Sequence, residues 1–233
     1  MKIMKLSLAT AILVSTASSA NAQKLEEAIK NVDISGTAIY RYNDYQNDAS
    51  TNYYKVGTDI KSSFADDVSF NTRLILGDNT APIAFKTSNS SSDEDVDFTL
   101  SEINVLYTGI ENTSIKLGKT AVDTPFAITR SSTGDEQTGT GIAINSKLGV
   151  IALNGGYYNQ TNFDKSGNVK SSFTNNKSGA DFAYVGAKFN FANISLDATY
   201  ADAKDIFDVY TVGGEIENKF SNFSLSTYAR YTE

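Results

Sequence analysis

The chain has 233 residues, a formal net charge of −7, no cysteine and no histidine. An acidic chain is a poor partner for a polyanion, so no nucleic acid is expected. Without histidine there is no Ser-His-Asp or Cys-His nucleophile and no His-containing metal site, and without cysteine there is no disulfide, so the chain is not expected to be an enzyme.

The first element is a leader. Lys2 and Lys5 precede an apolar run from Leu6 to Val14, and Ala20-Asn21-Ala22 closes it. This is the charge, core and small-residue cleavage pattern of a secretory signal over residues 1–22, cut after Ala22. Loss of Lys2 and Lys5 with the leader would take the net charge from −7 to −9. A short amphipathic segment, 23–31, follows, and it is expected in the periplasm. No run of about 18 apolar residues suits a transmembrane helix. Mean hydropathy is −0.27, a value that fits either a soluble protein or a barrel whose strands alternate and so hide their apolar face from averaging.

From residue 32 the period becomes two. Val32, Ile34, Ala38, Tyr40 and Tyr42 fall on one face, with Asp33, Ser35, Thr37 and Arg41 on the other. In the next segment Tyr54, Val56, Ile60 and Phe64 alternate with Lys55, Asp59, Lys61 and Ser63. Val68, Phe70, Leu74 and Leu76 then oppose Asn71 and Arg73. Alternating segments recur at 103–109, 113–120, 140–145, 150–159, 182–191, 194–201, 209–218 and 223–231, which makes eleven candidate strands.

Short connections are expected near 65–67, 110–112, 146–149, 191–193 and 219–222. Longer polar ones are expected at 43–52, 78–97, 121–139 and 160–179, with a shorter one at 202–207. Connections sorted by length onto opposite ends are the mark of a transmembrane barrel, with short periplasmic turns and long outer loops. Phe64, Phe70, Phe189, Phe191, Phe220 and Phe223 gather at the short-turn end. Tyr40, Tyr42, Tyr54, Tyr157, Tyr158, Tyr200 and Tyr231 gather at the loop end, as two aromatic girdles would. The opposite face carries Arg41, Lys55, Asp59, Lys61, Arg73, Lys116, Asp197, Glu215, Glu217 and Arg230. Buried unpaired charge is costly, so this face must meet water while the apolar face meets lipid. The fold class expected is all-β, an antiparallel transmembrane β-barrel of outer-membrane porin type spanning 32–233.

Two motifs fail. Gly118-Lys119-Thr120 has the ending of a phosphate loop, but the glycine such a loop needs at 113 is Thr113, and Pro125 follows where a helix should open. Gly118 is expected to face the lumen, where a loop needs room. Asp93, Asp95 and Asp97 have the opening spacing of an EF-hand, but Phe98 and Asn104 stand where its glycine and glutamate belong. This acidic stretch allows at most a weakly bound divalent cation; no other cofactor is expected. The third long connection holds Asp123, Asp135 and Glu136. Folded into the barrel, these carboxylates would face the wall cations Arg41, Lys61, Arg73 and Lys116 across a constriction and set ion preference.

The leader with "KLSLATA", the Leu25–Lys30 segment, the Val32–Gly36 strand start, the Arg41-Tyr42 pair and the Leu117–Lys119 strand end together resemble the Campylobacter-type major outer membrane porins. The resemblance is specific over roughly residues 1–45 and one of pattern beyond. It implies a homotrimeric, water-filled outer-membrane channel for ions and small polar solutes, in contact with lipid and lipopolysaccharide. That family's barrels are larger, single-chain bacterial barrels have even strand numbers, and the sequence ends on Glu233 without a terminal aromatic. The chain is therefore expected to be the N-terminal part of a longer porin. The function expected is passive diffusion with cation preference; the alternative is a small non-conducting barrel acting as an adhesin or envelope anchor.

Overall fold

Period-two alternation rich in Val, Ile, Tyr and Thr has one economical solution, a pleated strand with one face wet and one face dry. The computed structural model describes residues 32–45, 48–77, 98–126, 129–130, 136–163 and 181–233. The leader and segment 23–31 lie outside these residues, as does the acidic stretch with Asp93, Asp95 and Asp97.

The described residues form eleven strands: β1 (Val32–Tyr45), β2 (Asp48–Ala65), β3 (Val68–Leu76), β4 (Phe98–Ile110), β5 (Thr113–Ala121), β6 (Thr138–Leu148), β7 (Ile151–Thr161), β8 (Phe182–Phe191), β9 (Ile194–Ala203), β10 (Phe207–Lys219) and β11 (Ser224–Thr232). They pair in sequence order as one antiparallel sheet, β1 to β11. All eleven strands read from the sequence are present. Among the described residues no helix is long and apolar enough to cross a membrane, which leaves crossing by strands untouched.

Register keeps the two faces apart. Ile34 pairs with Ile60 and Asp33 with Lys61, Ile60 with Thr72 and Asp59 with Arg73, and Phe189 with Leu196 and Lys188 with Asp197. Apolar residues, with the uncharged Thr72 among them, thus line up across strands on one face, and charges on the other. The apolar face is open to the surroundings: Ile34 is 70% exposed, Val185 62% and Leu225 53%. An exposed apolar surface running across a whole sheet needs a lipid neighbour.

The short turns are as expected. Asp66-Asp67, Glu111-Asn112 and Ala192-Asn193 join their strands directly, with Asn112 and Ala192 in the left-handed region at φ 54° and 53°. At the other end the first connection is much shorter than the sequence suggested. β1 and β2 extend until Tyr45 pairs with Asp48, leaving only 46–47 between them; polar residues there continue the ladder because both strands have partners to hold them. The connections 77–97, 122–137 and 162–181 remain long.

Phenylalanines ring the turn end as pairs: Phe64–Phe70 at 6.3 Å between ring centroids, Phe189–Phe191 at 6.3 Å and Phe220–Phe223 at 4.6 Å. At the loop end Tyr210 and Tyr231 lie 6.1 Å apart. Tyr158 departs from the expected girdle. It points to the polar side and is fully buried, because its neighbour Tyr157 takes the outward position of that pair.

Candidate functional site in the barrel lumen

The third connection, between β5 and β6, lies against the polar face of the sheet. Its two ends are tied together, with Val122 N donating to Gln137 O at 3.0 Å. Asn162 clamps the exit, accepting from Thr138 N at 2.8 Å and donating to Glu136 O at 2.8 Å.

Two anchors hold the connection. The first is apolar. Val122, with Phe126 packed beside it, lies among Ala143, Tyr158, Phe182, Tyr184, Ala201 and Ala203, and Phe163 from the next connection closes the cluster. Phe163 meets Phe182 edge-on at 4.9 Å, and Tyr158 stacks with Tyr184 at 6.3 Å. These inward aromatics supply a dry seat on an otherwise wet wall.

The second anchor is ionic and centres on Glu136. Arg73 donates to it in bidentate fashion, Nε to Oε2 and Nη2 to Oε1, both at 2.8 Å. Ser101 Oγ donates to Oε2 at 2.7 Å, and Lys55 Nζ lies 3.3 Å from Oε1. Arg130, from the same connection, donates to Oε2 at 3.1 Å and lies 2.6 Å from Glu102. Arg73 also reaches Asp59 at 2.6 Å. The Arg73 guanidinium crosses the wall over Gly57, where a Cβ would overlap it. Glycine at that position is what lets the arginine lie flat.

Among the described residues three cations and three carboxylates join in one network, with the Glu136 side chain only 3% exposed. Glu136 stands between the strands, and burial by itself would raise its carboxyl pKa. The Arg73 and Ser101 hydrogen bonds, aided by the Lys55 and Arg130 charges, outweigh that and hold it at about 2.

The sequence-selected residues divide among several places. Glu136 meets Arg73. Lys61 and Lys116 share with Arg73 and Arg130 a niche of about 290 Å³ behind the connection, also lined by Asp33, Asp59 and Glu102. Arg41 is exposed on the same face, nearer the loop end, and makes no ion pair among the described residues. Asp123 sits elsewhere, exposed at the rim of a chamber of about 870 Å³ on the turn side of the connection. Asp135 lies outside the described residues. Among the described residues no group of three or more Asp, Glu, His or Cys could hold a metal ion.

Sequence reasoning missed Lys55, Ser101, Glu102 and Arg130 as members of the site. Arg130 carried a signal, a lone cation in a connection otherwise chosen for its acids. Gly118 also has a different reason from the one expected. Its φ is +122°, and a Cβ would stand 2.5 Å from the Ile103 carbonyl oxygen, so the glycine serves the strand pairing and not the loop. Thr120 of the same tripeptide is fully buried, and its hydroxyl reaches Glu102 at 3.5 Å.

A lipid-facing antiparallel sheet with short turns at one end, and with a long connection anchored on its charged inner face, defines an outer-membrane barrel of porin type. Residues 1–157 match the family model described as Campylobacter major outer membrane protein. The chain belongs to that family. No curated protein matches it. Among solved structures it is similar to the Pseudomonas aeruginosa outer membrane protein OpdK, with a TM-score of 0.65 and 14% identity over 87% of this chain and 56% of that one. It is also similar to Pseudomonas aeruginosa OccD3 (OpdP), with TM-score 0.62 and 14% identity over 86% and 49%. A third is Pseudomonas aeruginosa OccK9 (OpdG), with TM-score 0.60 and 16% identity over 88% and 59%. At these identities the likeness is one of fold. The chain spans about half the length of these solved proteins.

Proposed function

We propose that the protein is a porin: a water-filled channel for passive diffusion of ions and small hydrophilic solutes, with no catalysed step. The observation that carries the proposal is the inward face, on which a long connection is pinned by Glu136 to Arg73, with open space lined by polar and charged residues on both sides of it. A lumen packed solid with ion pairs would instead favour a non-conducting barrel. Family membership supports placement in the outer membrane, and the resemblance extends the proposal to a homotrimer in contact with lipopolysaccharide. Segment 1–22 serves as the export signal, cleaved after Ala22.

The proposal includes cation preference. The net charge of −7 supports it, but Glu136 is neutralised by its partners. Among the described residues the preference therefore rests on Asp123, which is exposed and makes no ion pair there. The test is the reversal potential of the full-length protein in a planar bilayer under a salt gradient. The wild type should reverse toward the cation potential, and Asp123→Asn should move the reversal toward zero. An unmoved reversal potential would remove Asp123 from the role.

A further inference from the structure

The larger chamber has a chemistry that the ion-channel reading leaves unused. Asp123, Thr124 and Pro125 line it from the third connection, while Lys147, Lys188 and Arg230 line it from the wall. Arg230 is already committed, donating to Asp197 through both terminal nitrogens at 2.8 and 2.9 Å. The charges without an ion pair among the described residues are thus one carboxylate, Asp123, and two ammonium groups, Lys147 and Lys188. Thr124 adds a third feature. It is only 7% exposed, and its Oγ1 has no hydrogen-bond partner among the described residues. A buried hydroxyl left unsatisfied at a cavity wall is costly unless a visitor or water satisfies it.

We infer that this chamber selects small zwitterions of the α-amino-acid type, taking the ammonium at Asp123 and the carboxylate at Lys147 and Lys188, with the Thr124 hydroxyl as an added donor or acceptor. The proposal deepens the porin reading and rests on it. A simple anion would gain the lysines but face Asp123. A divalent cation would find one uncommitted carboxylate, since Asp197 is held by Arg230. A solute carrying both charges satisfies both sides at once. The chamber volume, about 870 Å³, lies within the range that small-molecule sites occupy.

Alanine and lactamide separate charge from size, because they are isomers and only alanine is a zwitterion at neutral pH. The experiment is liposome swelling with the full-length protein, each rate normalised to that of arabinose. Exposed ion pairs are worth up to about a fivefold factor, so alanine should enter severalfold faster than lactamide. Asp123→Asn and Lys188→Gln should each bring that ratio down toward one, with folding of each variant checked by its heat-shifted mobility on gels. Equal rates for the two isomers in the wild type, or a ratio untouched by both variants, would overturn the inference while arabinose entry left the porin reading standing. No arabinose entry in the wild type would overturn the porin reading, and this inference with it.

Discussion

Replacing Glu136 with Gln removes the one carboxylate that three cations share. Among the described residues, Arg73 would then keep Asp59, and Arg130 would keep Glu102 and Asp59, as ion-pair partners, and Lys55 would lose its contact with Glu136. The magnitude follows from two routes. Each tenfold change in proton affinity corresponds to about 1.4 kcal/mol, so holding the Glu136 carboxyl at about 2 in place of 4.5 is worth roughly 3 kcal/mol. Removing one partner of a buried ion pair costs about 3–5 kcal/mol. Gln keeps the size and can still accept from Ser101, so the lower figure is the better expectation. The full-length protein, unfolded by urea in detergent, should lose about 3 kcal/mol of stability in Glu136→Gln. With its ionic anchor gone and only the apolar one left, the third connection should also fluctuate, and single-channel currents of the variant should be noisier. Unchanged stability together with unchanged current noise would refute the account of Glu136 as an anchor.

Because the Glu136 carboxyl is held below its ordinary value, its contribution is complete above about pH 5 and is lost as pH falls from 4.5 toward 2; a melting series over that range should show a loss that Glu136→Gln abolishes. Gly57→Ala should displace the Arg73 guanidinium and cost about 1–2 kcal/mol in urea unfolding, while loosening the third connection as Glu136→Gln does. Tyr158→Ala should empty the apolar anchor and destabilise by about 3–5 kcal/mol, without altering the ionic network on the other side.

Strand positions were legible because each strand states its own alternation, and eleven of eleven could be read from it. The limits of β1 and β2 were not. Asp48 to Asn52 carry no apolar period, and their place in the ladder comes from pairing with β1, which no local pattern announces. For the same reason Tyr157 and Tyr158 read alike in sequence, yet one faces out and the other is buried inside. Which of two adjacent aromatics turns inward is settled by register.

The candidate site was legible in part. Opposed charges on a wet face pointed to Glu136 and Arg73, which the fold brings to 2.8 Å across 63 positions of sequence. Asp123, thirteen residues earlier in the same connection, lies in a different compartment. The hydrogen bond between Val122 and Gln137 folds the connection back on itself, and a turn made by tertiary contact leaves no periodic trace. Lys55, Ser101 and Glu102 were hidden for the opposite reason: each looks like an ordinary wet-face residue until a distant carboxylate or guanidinium arrives beside it.

The central claim is that this barrel is an open, water-filled channel. Planar-bilayer recording of the purified full-length protein tests it most directly. The account predicts stepwise openings whose current rises linearly with voltage. A folded, membrane-inserted protein that passes no current would contradict it and would favour the non-conducting barrel.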